Sequence, residues 1–80
     1  MNRDQILEVL QGIFREFFDD DKLQLTQQST SEDFEEWDSV AHIQIVLEIE
    51  NQFDIQFEAE EVPRLTNVEA MIDSILSLRR

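Results

Sequence analysis

Apolar residues recur every three or four positions in three segments of the chain, which is the period of amphipathic helices. The predicted helices cover residues 4–18, residue 38 or 39 to about residue 53, and residue 66 or 67 onwards. The stretch IQIVLEI in the second segment also alternates in part, as a strand would. The length of this segment and its lack of turn signals favour a helix. A short helix is expected around Glu58 to Val62, ending before Pro63. The pattern therefore predicts an all-α bundle of three long helices and one short helix.

The ends of these helices carry capping signals. Asp38 and Ser39 are both favoured N-cap residues for the second helix, and the sequence does not decide between them. Thr66 and Glu69 have the spacing of a capping box at the start of the last helix. The positive charges of Arg79–Arg80 suit the C-terminal end of that helix.

A long first loop separates the first two helices, over residues 19–38. It has no sustained apolar period, and a loop of this length is usually either functional or disordered. Leu23, Leu25 and Phe34 supply apolar anchors within it. We therefore expect this loop to be ordered and packed over the bundle.

The length of the chain and its lack of cysteine limit what it can be. Eighty residues predict a single domain over residues 1–80, with a thin core. With no cysteine, the chain has no disulfide, and it has no thiol for covalent catalysis or for a zinc site. The apolar runs are too short to span a membrane, and the N-terminus lacks the apolar region of a signal peptide. We expect a cytoplasmic monomer.

The chain is strongly acidic. Nineteen aspartate and glutamate residues against six lysine and arginine residues give a net charge of −13. Phosphate backbones would repel such a chain, which argues against nucleic acid as a partner. Partners with basic surfaces are favoured, because opposite charges steer their encounter.

The stretch EEWDSVAHI at residues 35–43 is the candidate functional site. Ser39 stands where the acidic loop meets the second helix, so its hydroxyl is expected to be exposed. From the local sequence alone, Ser39 is explained equally well as a helix N-cap with no other function. His42 is expected to lie at the surface. No cysteine, serine or acidic residue is arranged with it for catalysis, so no catalytic residue is predicted.

The run of three aspartates at residues 19–21 suggests a calcium loop, but the spacing is wrong. An EF-hand loop that began at Asp19 would need an oxygen ligand at its fifth position, glycine at the sixth and glutamate at the twelfth. The chain has Leu23, Gln24 and Thr30 at these positions. We therefore predict no intrinsic metal site.

Trp37-Asp38-Ser39-Val40 and the sequence that follows it resemble the acyl carrier protein family. The family signature is Asp-Ser-Leu at the start of the second helix. It is followed by a helix that ends in Glu-x-x-Phe, a short acidic helix, and a threonine at the start of the last helix. The matching parts of this chain are residues 38–40, 50–53, 58–61 and 66–69, so the resemblance covers the whole chain. Glu36-Trp37 replaces the small pair of common fatty-acid carriers, and Val40 replaces leucine. Trp37-Asp38-Ser39 resembles the stand-alone carriers of dedicated pathways, while Val40 keeps an apolar contact with less volume.

The resemblance implies a carrier rather than an enzyme. It implies that Ser39 bears 4'-phosphopantetheine through a phosphodiester, and that the arm supplies the thiol for a thioester. Asp38 matches the aspartate that helps to hold magnesium while a phosphopantetheinyl transferase attaches the arm. The other implied partners are acyl-activating, acyltransferase or condensing enzymes with basic surfaces. The alternative is an acidic helical adaptor that binds a basic protein and carries no arm.

The resemblance also implies a partner surface on the second helix. The residues that match the recognition helix of the family are Val40, Ala41, Gln44, Leu47, Glu48 and Asn51. Acidic residues nearby extend this surface: Glu35, Glu36, Glu58, Glu60 and Glu61. Trp37 is more consistent with packing in the loop, and contact with the arm is the second interpretation.

The position of the carried group is a separate expectation. Fatty-acid carriers of this family can fold an acyl chain into the bundle. Here six phenylalanines lie in or near a thin core, and displacing such packed rings is costly. We expect short or polar cargo to stay outside the bundle, near an exposed face of Trp37.

Overall fold

The computed structural model describes residues 1–79 and contains three α-helices. These are α1 (Arg3–Phe17), α2 (Ser39–Phe53) and α3 (Val68–Leu78). Two short 3₁₀-helices lie in the connecting segments, at Ser31–Asp33 and Val62–Arg64. The predicted all-α fold, with three long helices and a long first loop, is confirmed. Arg80 lies outside the described residues, and none of the helices within residues 1–79 is long and apolar enough to cross a membrane.

The core forms where α1 packs against both α2 and α3. Each helix contributes fully buried side chains to it: Ile6, Leu10 and Phe14 from α1, Ile45 and Ile49 from α2, and Val68, Met71, Ile72 and Ile75 from α3. Leu76 of α3 is half-buried at the edge of this core. Because the apolar period of each helix matches this burial, the packing of the three faces accounts for the bundle.

The first half of the long loop is held by both its apolar and its polar groups. Leu23 and Leu25 are buried in the core, as predicted. The backbone N–H of Leu25 donates to Gln11 Oε1 at 2.9 Å, and Arg15 Nε donates to the carbonyl of Leu23 at 2.8 Å. Two side chains of α1 thus satisfy the backbone of the loop, which explains why it is ordered without regular structure.

The second half of the loop pairs with the start of α3. The N–H of Ser31 donates to the carbonyl of Thr66 at 2.8 Å, and the N–H of Val68 donates to the carbonyl of Ser29 at 2.9 Å. These bonds flank an antiparallel bridge between Thr30 and Asn67. The expectation of an ordered loop packed over the bundle is confirmed.

Aromatic side chains fill the space under the start of α2. Trp37 packs edge-to-face on Phe14 with 5.0 Å between ring centroids. Phe34 lies 6.2 Å from Phe14 and stacks on Phe18 at 6.1 Å. These rings join the loop to α1 and fix the position of the residues that precede Ser39.

The segment between α2 and α3 differs from the prediction. The short helix was expected around Glu58 to Val62, but the chain forms a turn there and a 3₁₀-helix follows at Val62–Arg64, with Pro63 inside it. Proline lacks a backbone N–H, and the first turn of a helix needs none, so Pro63 lies in the first turn of this helix instead of ending one.

The predicted capping box at the start of α3 is wrong as well. Asn67 is the N-cap, and its side chain accepts from the N–H of Ala70 at 2.8 Å. The carbonyl of Thr66 is bonded to Ser31 instead. The pairing with the first loop keeps Thr66 outside the helix, and this long-range contact is not visible in the local sequence. At the other end of α3, Arg79 Nη1 donates to the carbonyl of Phe53 at 2.9 Å.

Candidate functional site

The start of α2 resolves the choice between its two possible caps. Asp38 is the N-cap: its Oδ1 accepts from the N–H of Ala41 at 2.9 Å, and its carbonyl accepts from the N–H of His42 at 2.8 Å. Ser39 is the first helical residue and is exposed. Because Asp38 does the capping, the hydroxyl of Ser39 is left for another role.

The backbone around Ser39 favours a negative group. The N–H groups of Ser39 and Val40 are the first two of α2, where no intrahelical carbonyl is available to them. The positive end of the helix dipole lies at the same place. A phosphate joined to the Ser39 hydroxyl would therefore be near free donors and a favourable field.

An open groove of about 550 Å³ adjoins Ser39. Apolar side chains line part of it: Trp37, Ile43, Val62 and Pro63. The other lining residues are polar: Ser31, Asp38, His42 and Thr66. This volume is within the range of small-molecule sites.

His42 is buried, and the prediction that it lies at the surface is wrong. Its side chain is 8% exposed. Its Nδ1 accepts from the indole Nε1–H of Trp37 at 2.9 Å, and its Nε2 lies 2.7 Å from the carbonyl oxygen of Val62. A single neutral tautomer, with the proton on Nε2, satisfies both bonds.

The physical reason for this burial lies in the loop rather than in α2. The indole N–H of a buried tryptophan needs an acceptor, and His42 is five residues further along the chain. The two rings stack with 5.9 Å between centroids. The sequence signal for this pair was a lone tryptophan close to a lone histidine at the start of a helix, and its meaning depends on the fold.

Trp37 does not present the exposed aromatic face that we expected. It is only 5% exposed, because it packs against Phe14 and His42. The interpretation of Trp37 as a packed loop residue is confirmed. It still borders the groove beside Ser39, so contact with an arm is restricted to the part of the ring that reaches the groove.

The outer face of α2 carries an apolar stripe. Val40, Ile43 and Leu47 are 68%, 51% and 58% exposed, although each is a large aliphatic residue. Of the other residues expected to face partners, Gln44, Glu48 and Asn51 are exposed. Ala41 is buried, so its assignment to this surface is wrong; it lies one helical turn before the core residue Ile45.

Ile43 belongs to this stripe and was missed as a surface residue. An isoleucine three positions after Val40 reads as part of a core face, and the sequence of α2 is apolar nearly all round. Only the packing of Ala41, Ile45 and Ile49 against α1 and the rest of the core shows which face is left outside.

Acidic residues precede and follow α2 in the chain. Four of the five predicted acidic residues are exposed: Glu35, Glu36, Glu58 and Glu60. Glu61 is half-buried, and its carboxylate accepts from the hydroxyl of Ser74 at 3.2 Å. Within residues 1–79, no three histidine, cysteine, aspartate or glutamate side chains are grouped so that they would hold a metal ion.

Known proteins resemble the chain over nearly its whole length. No sequence model of a known protein family matches it. An acyl carrier protein from Rubrobacter xylanophilus is 26% identical over 76 residues, which cover 95% of this chain and 94% of that protein. The solution structure of a holo acyl carrier protein from Geobacter metallireducens superposes with a TM-score of 0.83 and 32% identity, and covers 92% of this chain and 85% of that one.

The solved relative shares both the fold and about a third of the sequence, and the match includes most of each chain. Sequence, helix order and the arrangement around Ser39 thus lead to the same conclusion. The chain belongs to the acyl carrier protein family, whose members are carriers and not enzymes.

Proposed function

We propose that this chain carries acyl or related groups as thioesters on a 4'-phosphopantetheine arm joined to Ser39. The observation that carries the proposal is the exposed serine at the first position of α2, with Asp38 as the cap and an open groove beside it. A carrier needs a thiol for its thioester, and this chain has no cysteine. The holo form of the Geobacter metallireducens relative supports an attached group.

The residues around Ser39 fit such an arm. When bound, the arm supplies the thiol on which cargo is carried. The N–H groups of Ser39 and Val40 would bond its phosphate, next to the positive end of α2. The groove of about 550 Å³ would receive the rest of the arm along its apolar side, past Ile43 and Pro63. The chain therefore binds and orients the arm and leaves the chemistry to its partners.

Asp38 has a second role in this proposal. Its carboxylate uses Oδ1 for the cap and is exposed. Carboxylate oxygens suit magnesium, which usually completes its coordination with water and phosphate oxygens. We infer that Asp38 contributes one ligand while the transferase attaches the arm, and that the transferase and its substrate supply the others.

The outer face of α2 and its acidic surroundings are the proposed partner surface. The exposed stripe of Val40, Ile43 and Leu47 offers apolar contact, and the glutamates around it would attract basic surfaces. The partners would be a phosphopantetheinyl transferase and acyl-activating, acyltransferase or condensing enzymes. The proposed carrier is a single-domain monomer in the cytoplasm. Trp37 and Val40, which differ from common fatty-acid carriers, favour a dedicated biosynthetic pathway.

The intact mass of the protein tests attachment directly. After co-expression with a phosphopantetheinyl transferase, we expect the wild-type protein to gain the mass of one arm and Ser39→Ala to gain none. Ser31→Ala is the matched control, because Ser31 borders the same groove and should leave the gain unchanged.

Two outcomes would contradict the proposal. An arm on the Ser39→Ala protein would mean that another serine is the attachment site. A wild-type protein that gains no arm from any active transferase, yet binds a basic partner through the outer face of α2, would be an acidic adaptor instead.

A further inference from the structure

The segment that joins α2 to α3 is tied to both helices beside the groove. We call residues 61–64 the strap. On one side, the carbonyl of Val62 is bonded to His42 Nε2 of α2 at 2.7 Å. On the other side, the carboxylate of Glu61 accepts from Ser74 of α3 at 3.2 Å. The strap therefore lies across the seam between α2 and α3.

The strap separates the groove from the core. Val62 lines the groove and also packs against the core cluster, which makes it part of the wall between them. Leu65, directly after the strap, is 1% exposed. On α2, His42 lines the groove and Val46, one turn later, belongs to the core. A chain that entered the interior between α2 and the strap would have to pass between His42 and Val62, which are bonded to each other.

Trp37 and Phe14 support the hydrogen bond from His42 to Val62. The Nδ1 atom of His42 accepts from Trp37, and Trp37 is packed edge-to-face on Phe14. This packing fixes the ring of His42 and the tautomer that donates from Nε2 to Val62. The part of the groove wall formed by His42 and Val62 is thus supported by the packed aromatic rings of Trp37 and Phe14.

We propose that His42 determines which groups this carrier accommodates, by holding the strap against α2 and closing the route from the groove to the core. Short acyl groups then lie in the groove, and longer chains extend into solvent instead of entering the bundle. His42 acts through Val62 and is a positioning residue. The proposal rests on the proposed function, because it concerns cargo on an arm at Ser39.

Two substitutions distinguish the hydrogen bonds of the two ring nitrogens of His42. Glutamine places its amide nitrogen near the position of Nε2 and can still donate to the carbonyl of Val62. Asparagine is shorter, places its amide near the position of Nδ1, and retains only the contact with Trp37. His42→Leu removes both bonds at similar bulk. We expect His42→Gln to keep the strap closed, and His42→Asn and His42→Leu to open it.

The control variant weakens a similar tether far from the groove. Arg79→Met removes the hydrogen bond from Arg79 to the carbonyl of Phe53. Like the bond between His42 and Val62, it joins residues that are distant in the sequence. Phe53 ends α2, about 21 Å from Ser39 at 1.5 Å per residue. This variant shows how a loss of overall stability changes the position of the cargo when the bond between His42 and Val62 is intact.

The test compares holo protein loaded with butanoyl, octanoyl and dodecanoyl groups. In the wild-type, His42→Gln and Arg79→Met proteins, chemical shift changes should stay near Ser39, Ile43 and Val62 for all three lengths. In His42→Asn and His42→Leu, the dodecanoyl group should also shift the methyl signals of core residues such as Ile49 and Ile72. The melting temperature should rise with chain length only in these two variants.

An arm-independent measurement uses the apo protein. The N–H groups of Arg64 and Leu65 are bonded within and just after the strap, at 2.8 and 3.2 Å. Their hydrogen exchange should quicken at least tenfold in His42→Asn and His42→Leu, relative to the general change seen in Arg79→Met. It should stay near the wild-type rate in His42→Gln.

Several results would overturn the inference. The first is a change in the methyl signals of core residues when the wild-type protein is loaded. The second is a His42→Leu protein whose core signals do not change on loading with the dodecanoyl group. The third is hydrogen exchange of Arg64 and Leu65 that has the same rate in all variants. Failure to gain any arm would instead contradict the proposed function, and the exchange measurement would still decide whether His42 holds the strap.

Discussion

The two faces of α2 both carry large aliphatic side chains but lie in opposite environments. The inner face carries Ile45 and Ile49, which are fully buried, while the outer face carries Val40, Ile43 and Leu47, which are more than half exposed. A helix that is apolar all round is normally buried all round. The side chains on the outer face therefore do not contribute to the core, and the exposed aliphatic stripe next to Ser39 is the basis of the proposed partner surface.

The inner face should carry most of the stability of this helix. Ile49→Ala removes a fully buried side chain from a small core, and we expect the free energy of unfolding to fall by about 2–5 kcal/mol. Urea denaturation followed by circular dichroism measures this change. A loss below about 1 kcal/mol would mean that the core relaxes around the missing methyl groups. Such a core would also admit an acyl chain more easily than our inference about His42 allows.

The outer face should carry affinity and little stability. For Leu47→Ala, which lies two residues from Ile49, we expect the free energy of unfolding to change by at most about 0.5 kcal/mol. We expect binding to a cognate transferase to weaken by about 1–2 kcal/mol, or about 5- to 30-fold in Kd. Calorimetric titration of the apo protein measures the affinity.

Glu48→Gln is the matched control for this measurement, because it alters the acidic surroundings rather than the stripe. Its effect should be about 1 kcal/mol or less and should disappear as salt rises, since exposed charges are screened over about 8 Å at physiological ionic strength. The effect of Leu47→Ala should persist in salt. If both effects disappeared together, the stripe would add nothing to the attraction between charges.

The difference between the two faces also shows how much of the structure was predictable. The three long helices follow from local apolar period, which a single sequence displays directly. The orientation of α2 about its axis was predicted only in part, because Ile43 and Ile45 look equivalent until α1 and α3 are packed around them. Ala41 was assigned to the wrong face for the same reason.

The position of Ser39 at the start of α2 was predictable from the sequence, and the surroundings of Ser39 were not. Ser39 followed from a motif at a helix start, which is a local signal. The groove beside it depends on contacts between distant parts of the chain. His42 bonds to Val62 twenty residues away, and Ser31 bonds to Thr66 thirty-five residues away. No local period encodes these pairs, so the burial of His42 and the position of the strap appear only in the folded chain.

The smallest expected effect concerns Gly12, an exposed position on α1 that has no apolar role. A Cβ atom added there meets no atom within 4 Å, and the residue lies in the middle of Arg3–Phe17. Gly12→Ala should therefore raise the free energy of unfolding by about 0.5–1 kcal/mol, because alanine loses less backbone entropy in a helix. Denaturation curves measured beside those of Ile49→Ala give the value. Arm attachment and transferase affinity should stay unchanged, since this substitution lies on α1 and is not part of the proposed partner surface. An equal loss of affinity in Gly12→Ala and Leu47→Ala would show that partners contact α1 as well, and the proposed partner surface would then have to extend beyond α2.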